Sequence, residues 1–147
     1  MAAGKTSLPA DLRRLGLNAG DLVMVHSSLR SLGMVDEGAQ TVVDAFLDVL
    51  GPLGTLVGPS FTFGSVGSRS FVFDVLKTPS EMGAVSEEIR RRAGRRRSAH
   101  ASHSVSAIGP LAPELFANYG ESAWDSESPL AKVIQLGGKF LLLGVTY

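Results

Sequence analysis

Apolar positions along this chain fall into short continuous runs that alternate with helical stripes. Leu22-Val23-Met24-Val25-His26 is an apolar run too short for a helix, which predicts a strand buried on both faces. Ala39, Val42, Val43, Phe46, Leu47 and Leu50 follow the i, i+3, i+4, i+7 template and stop at Gly51-Pro52, which predicts an amphipathic helix. Before them, Ser7 is placed to cap a short helix with Pro9 in its first turn and Leu12 and Leu15 on its apolar side. Thr55 to Val57 reads as a second strand that runs out at Pro59, and Gly64 to Ser70 as a Gly/Ser loop with no apolar period.

Further along, Thr78-Pro79-Ser80-Glu81 has the spacing of a capping box, with Pro79 at the first helical position and Met82, Val85 and Ile89 as the buried stripe. Six arginines lie between Arg90 and Arg97, interrupted only by Ala93-Gly94. A strand through Val105 to Ile108, a helix from Leu111 to Tyr119, and a helix started by Ser128-Pro129 follow in turn. Gly137-Gly138 then turns the chain into Lys139 to Val145, a nearly all-apolar strand expected to be covered on both faces. Strands alternating with helices predict a layered α/β fold, with residues 1–147 as a single α/β domain. Only Thr146 and Tyr147 follow the last strand, so the chain reads as the front portion of an enzyme.

Composition narrows the chemistry. At 44% hydrophobic and 19% charged, the chain has enough apolar content for a packed core. Formal net charge is zero, so no global field draws it to nucleic acid or to an anionic membrane. There is no cysteine, which removes disulfides, thiolate catalysis and cysteine-ligated zinc. The N-terminus has no apolar segment after Lys5, and no run elsewhere approaches the ~20 residues of a membrane span. The expected location is cytoplasmic.

Several motifs fail on their context. Gly4-Lys5-Thr6 imitates the end of a phosphate-binding loop but lacks the earlier glycine and the preceding strand. No G-x-S-x-G or G-x-G-x-x-G turn occurs. His100 and His103 have an H-x-x-H spacing, but on an extended segment it puts their side chains on opposite faces, and no metal site is expected.

Three features are left. His26-Ser27-Ser28-Leu29-Arg30 stands where a buried strand ends, the place where ligands settle in α/β sheets; from spacing alone, a capping serine beside a satisfied buried histidine is the simpler reading. The arginine cluster suits bidentate phosphate binding, or simply a solvated helix end; as a nucleic-acid surface it lacks interleaved aromatics. Arg97 to Ser104 gathers hydroxyls and imidazoles just before a strand, where exposed turn residues are the plain alternative.

Taken in order, five blocks resemble the aminoglycoside 3-N-acetyltransferase family. They are His26 to Gly33, Thr78 to Gly83, Arg97-Ser98-x-His100-x-x-His103-Ser104 with Gly109, Ser128-Pro129-Leu130, and Leu141 to Val145. The resemblance implies a layered α/β/α sandwich with a central mixed sheet, and transfer of acetyl from acetyl-CoA to an amine of an aminoglycoside antibiotic. It also implies roles. His26, Ser27, Ser28 and Leu29 would bind the cofactor, the last three through backbone amides; one or two of Arg95, Arg96 and Arg97 would reach the CoA phosphates; Ser98 and His100 would line the cleft near the thioester, with His100 as the catalytic candidate. Two departures stand out. Ala101 occupies the place of a common family proline, and the family's catalytic base lies beyond the residues present, which leaves a non-catalytic CoA-binding or assembly fragment as the alternative. A sheet cut short would expose apolar surface and favour homo-oligomers.

Overall fold

Residues 7–64 and 67–146 are described by a computed structural model; the Gly4-Lys5-Thr6 imitation lies outside them. The elements run α1 (Leu8–Arg14), β1 (Leu22–Ser27), a 3-10 turn (Leu29–Leu32), α2 (Ala39–Leu50), β2 (Thr55–Pro59), α3 (Ala84–Ala93), β3 (Val105–Ile108), α4 (Ala112–Leu115), α5 (Pro129–Gln135) and β4 (Lys139–Leu143). The strands make one sheet in the order β3-β2-β1-β4. β1 is parallel to both its neighbours, whereas β3 is antiparallel to β2, so the sheet is mixed.

The alternation of side chains along β1 builds two cores. Val23 and Val25 face one way, against Leu12 of α1, Val43 and Phe46 of α2, and Ile89 of α3. Leu22 and Met24 face the other way, against Ala112 and Leu115 of α4 and Val133 of α5. Helices therefore cover both faces, which is the expected α/β/α sandwich, and the unbroken apolar run of β1 follows from it. The α2 stripe lands as its spacing requires, with Val42, Val43, Phe46 and Leu50 buried. α5 also begins as expected, with Ser128 Oγ accepting from Ala131 N at 3.2 Å.

Three elements differ from expectation. The capping box does not form: α3 starts at Ala84 after Gly83, whose φ of 96° breaks the helical path. Its polar residues are used to join loops instead. Thr78 Oγ1 accepts from Asp74 N, and Glu81 accepts from the amides of Phe63 and Gly64. The helix expected over Leu111 to Tyr119 spans only Ala112–Leu115; Asn118 adopts φ 52°, and Tyr119 turns its hydroxyl to accept from Ala99 N. Finally, β4 is not sealed on both faces: Phe140 is 48% and Leu142 37% exposed. Phe140 and Leu142 line recesses, described below.

Candidate functional site

β1 ends at the junction of two recesses. His26 is in phase with Leu22 and Met24 and lies on the α5 side; Ser27, in phase with Val23 and Val25, lies on the α3 side. One recess, about 460 Å³, is lined by His26, Ser27, Pro59, Met82, Phe140 and Leu142, among others. The other, about 320 Å³, is lined by Met24, His26, Phe61, Trp124, Ile134 and Phe140, among others. His26 and Phe140 belong to both walls. The Ser27 hydroxyl is buried and has no hydrogen-bond partner among the described residues. Such an orphan costs about 1–3 kcal/mol if left unsatisfied; Thr41 and Ser86 carry buried hydroxyls of the same kind, but of the three only Ser27 lines this recess.

Of the next two residues, Ser28 does different work from that expected. The amide of Ser28 is not free for an anion: it donates to Leu143 O at 2.9 Å, which extends the β1–β4 ladder. Ser28 Oγ caps the 3-10 turn by accepting from Ser31 N. Leu29 packs on the α2 side of the core.

Arg97 and Ser98 lie elsewhere. Arg97 is 3% exposed and pairs with Ser106 at the outer edge of β3, the side of the sheet away from β4. Its guanidinium donates to Ser60 O at 2.8 Å, to Ser104 Oγ at 3.0 Å, and to Val75 O and Thr78 O, with the Phe73 ring 4.8 Å away. Burial draws its pKa down to about 10, helped by the nearby Arg90 cation, yet it stays charged at neutral pH. With its donors committed to the protein, Arg97 cannot grip a phosphate; it ties the 74–79 segment to the end of β2. Ser98 is also buried, and its hydroxyl accepts from Val105 N at 3.0 Å. Of the remaining arginines, Arg90 is bidentate to Glu87 and Arg92 pairs with Asp44 and Glu88, while Arg95 and Arg96 stay exposed.

His100 and His103 come together because their segment turns where an extended path was expected. Their ring centroids are 5.7 Å apart. His100 Nδ1 accepts from His103 N at 3.1 Å, and Ser102 Oγ lies 2.9 Å from His103 Nδ1. His100 lines a separate recess with Ser102, Tyr119 and Glu121, so it reaches the β1 cavities only through His103 and Trp124. Among the described residues, no three His, Asp or Glu side chains come together as metal ligands. No described helix is long and apolar enough to cross a membrane.

Sequence reasoning passed over Phe61, Trp124 and Phe140 as site residues and placed Met82 in a helix stripe. The usable signal was Trp124, a lone large aromatic in the polar stretch Glu121 to Ser128 with no helical or strand period to bury it.

Burial lowers the pKa of His26 below its ordinary value of 6.5, so the imidazole between the cavities is neutral at physiological pH. Burial and the neighbouring His100 lower His103 in the same direction. The unfolded chain therefore holds these protons more tightly than the folded one. Stability is full above 6.5 and declines as pH falls from there toward the folded-state values. In urea titrations at successive pH values, His26→Gln is expected to flatten part of that acid-side decline; an unchanged pH slope would contradict it.

Comparison with known proteins places this geometry. The family model described as aminoglycoside 3-N-acetyltransferase matches residues 24–147. Aminoglycoside N(3)-acetyltransferase III of Salmonella sp is 35% identical over 150 residues, covering 90% of this chain and 52% of that protein. The chain thus spans about half the length of this relative. Among solved structures, AAC-IIIb in binary complex with CoASH superposes with a TM-score of 0.83 at 29% identity, over 97% of this chain and 59% of that one. AAC-VIa bound to sisomicin gives 0.86 at 34% identity, over 97% and 59%. With the family match running from β1 through β4, the chain belongs to the aminoglycoside 3-N-acetyltransferase family.

Proposed function

We propose that this chain forms the acetyl-CoA side of an enzyme that acetylates an amine of an aminoglycoside antibiotic. The observation that carries the reading is the unpartnered Ser27 hydroxyl in the wall of the 460 Å³ recess at the carboxyl end of β1. A mostly apolar recess with a few polar groups, His26, Ser27 and Thr146, suits a pantetheine arm, whose amides need few hydrogen bonds and whose alkyl part needs cover. When bound there, acetyl-CoA supplies an acyl carbon activated as a thioester. The residues present do the rest of what can be assigned. Ser27 Oγ holds an amide or carbonyl of the arm, and Pro59, Met82, Phe140 and Leu142 exclude water from it. His26, neutral and common to both recesses, can accept a hydrogen bond from an incoming amine without repelling it.

In this reading, His100, Arg97 and Ser98 act by ordering the 97–104 turn that carries His103, and Leu29 and Ser28 fix the register of the loop after β1. The likeness to AAC-IIIb, solved with CoASH, and to AAC-VIa, solved with sisomicin, supports both the cosubstrate and the acceptor class.

Calorimetric titration with CoA tests it. Wild type should bind, and Ser27→Ala, which removes only the hydroxyl, should raise Kd about five-fold, the effect of one hydrogen bond of ~1 kcal/mol. No heat from wild type, or equal affinity in both proteins, would end this reading.

A further inference from the structure

β2 ends at Pro59, yet the chain after it keeps the bonding alternation of a strand as far as Gly64. On one side, Ser60 N donates to Ser104 O at 2.7 Å and Thr62 N to Ser102 O at 3.1 Å; on the other, Phe61 O accepts from Glu81 N at 2.9 Å. Successive side chains therefore take opposite faces. Ser60 and Thr62 are buried, whereas Phe61 and Phe63 stand together, ring centroids 5.6 Å apart, and meet His103 at 5.1 and 5.0 Å.

At Phe63 the backbone partners run out. The segment opposite turns away at Gly83, whose φ of 96° precedes α3. The Glu81 side chain takes over there: its Oε2 accepts from Phe63 N and from Gly64 N, both at 2.8 Å. Among the described residues nothing else bonds to these two amides. One charged oxygen thus ends the ladder, with bonds of the stronger, charge-assisted kind.

The carboxylate supplies position more than stability. Glu81, Phe63 and Gly64 are exposed, so water can replace the carboxylate at both amides and its loss orphans no buried group. Water cannot fix where Phe63 stands. Through Phe63 the constraint passes to Phe61, which lines the 320 Å³ recess, and to His103, whose ring lies 5.1 Å from Trp124 of the same lining.

We infer that Glu81 is a positioning residue whose carboxylate sets Phe61 and Phe63 against His103 and so fixes the aromatic wall of the 320 Å³ recess. Its functional side rests on the acetyl-transfer reading above, in which an amine reaches His26 from this recess. A wall ordered in advance takes a ligand without the entropy cost of fixing two rings on binding.

Wild type, Glu81→Gln and Glu81→Ala decide it. Because both amides share one oxygen, glutamine can keep both bonds while losing the charge; alanine loses both. In the full chain without ligand, amide exchange at Phe63 and Gly64 should be at least about ten-fold faster in the alanine variant and close to wild type in the glutamine variant. The His103 imidazole, held below 6.5 by burial and by His100, should titrate closer to 6.5 in the alanine variant alone, because Phe63 no longer covers it. With sisomicin as the amine, read through the emission of the single tryptophan, Kd should rise about five-fold in the alanine variant alone. CoA affinity by calorimetry should be the same in all three, as should the fold by circular dichroism. The inference falls if the glutamine and alanine variants behave alike, which would make the effect one of charge, or if the alanine variant loses the fold. It falls too if the amides exchange equally in all three, or if they exchange faster while His103 and sisomicin affinity keep their wild-type values. Wild type that binds neither CoA nor sisomicin faults the acetyl-transfer reading instead, and the exchange and His103 titrations, which need no ligand, still decide whether Glu81 holds the wall.

Discussion

Arg97→Met is expected to cost about 3–5 kcal/mol of folding stability, read as a lower urea midpoint. The guanidinium donates to the carbonyls of Ser60, Val75 and Thr78 and to Ser104 Oγ in a nearly sealed site. Methionine fills similar space but offers no donor, so the carbonyls of Val75 and Thr78 lose their buried donor at ~1–3 kcal/mol each, partly relieved by relaxation, while Ser60 O keeps the Ser104 hydroxyl. Loss of the cation over Phe73 adds to this. Arg97→Lys should recover only a fraction, because one compact ammonium cannot reach carbonyls from two segments and the Ser104 hydroxyl at once. Wild-type stability in Arg97→Met would show that the network contributes little.

Gly109→Ala should be comparably severe for a different reason. Gly109 has φ +136°, and a Cβ there would sit 2.6 Å from Thr55 Oγ1 and 2.7 Å from Thr55 Cα, and against Gly54 O. Thr55 is buried in β2, and its hydroxyl accepts from Leu111 N, so it has nowhere to go. Backbone strain and overpacking together amount to roughly 3 kcal/mol or more. For a chain of this length that lowers Tm by about 10 °C. Gly16→Ala separates the two causes: φ is +93° but nothing lies within 4 Å, so only the strain of ~1 kcal/mol should appear. Similar shifts in both variants would mean that the close approach is irrelevant.

Legibility in the sequence followed how local the cause was. The α2 stripe and the Ser128-Pro129 start depend on residues within a few turns of one another, and both landed as read. Thr78 to Glu81 carried a local signal of the same kind, but Glu81 found amides of Phe63 and Gly64 seventeen or eighteen residues away, and tertiary bonding won. The apolar run of β4 correctly marked a strand. It could not say whether the neighbours on its faces would be helices or cavities, because hydrophobicity is the same in either case. The site was half visible for the same reason. His26 and Ser27 stand at a strand end that the pattern located, whereas Phe61, Trp124 and Phe140 share a wall only after three distant segments have packed. Arg97 misled because a cation cluster reads as solvent-facing, and only carbonyls supplied from other segments made its burial tolerable.

The sheet order also has a temporal side. β1 is the central partner of β4, yet Val23 and Lys139 are 116 positions apart, and the Lys139 ammonium closes on Asp21 across a separation of 118. At a synthesis rate of ~5–20 residues per second, one edge of the first strand stays unpaired for on the order of ten seconds on the ribosome. Closing so long a loop also slows the search once the chain is free. Val25, His26 and Ser27 are therefore made early, and their edge toward β4 is paired only when Lys139 to Leu143 arrives.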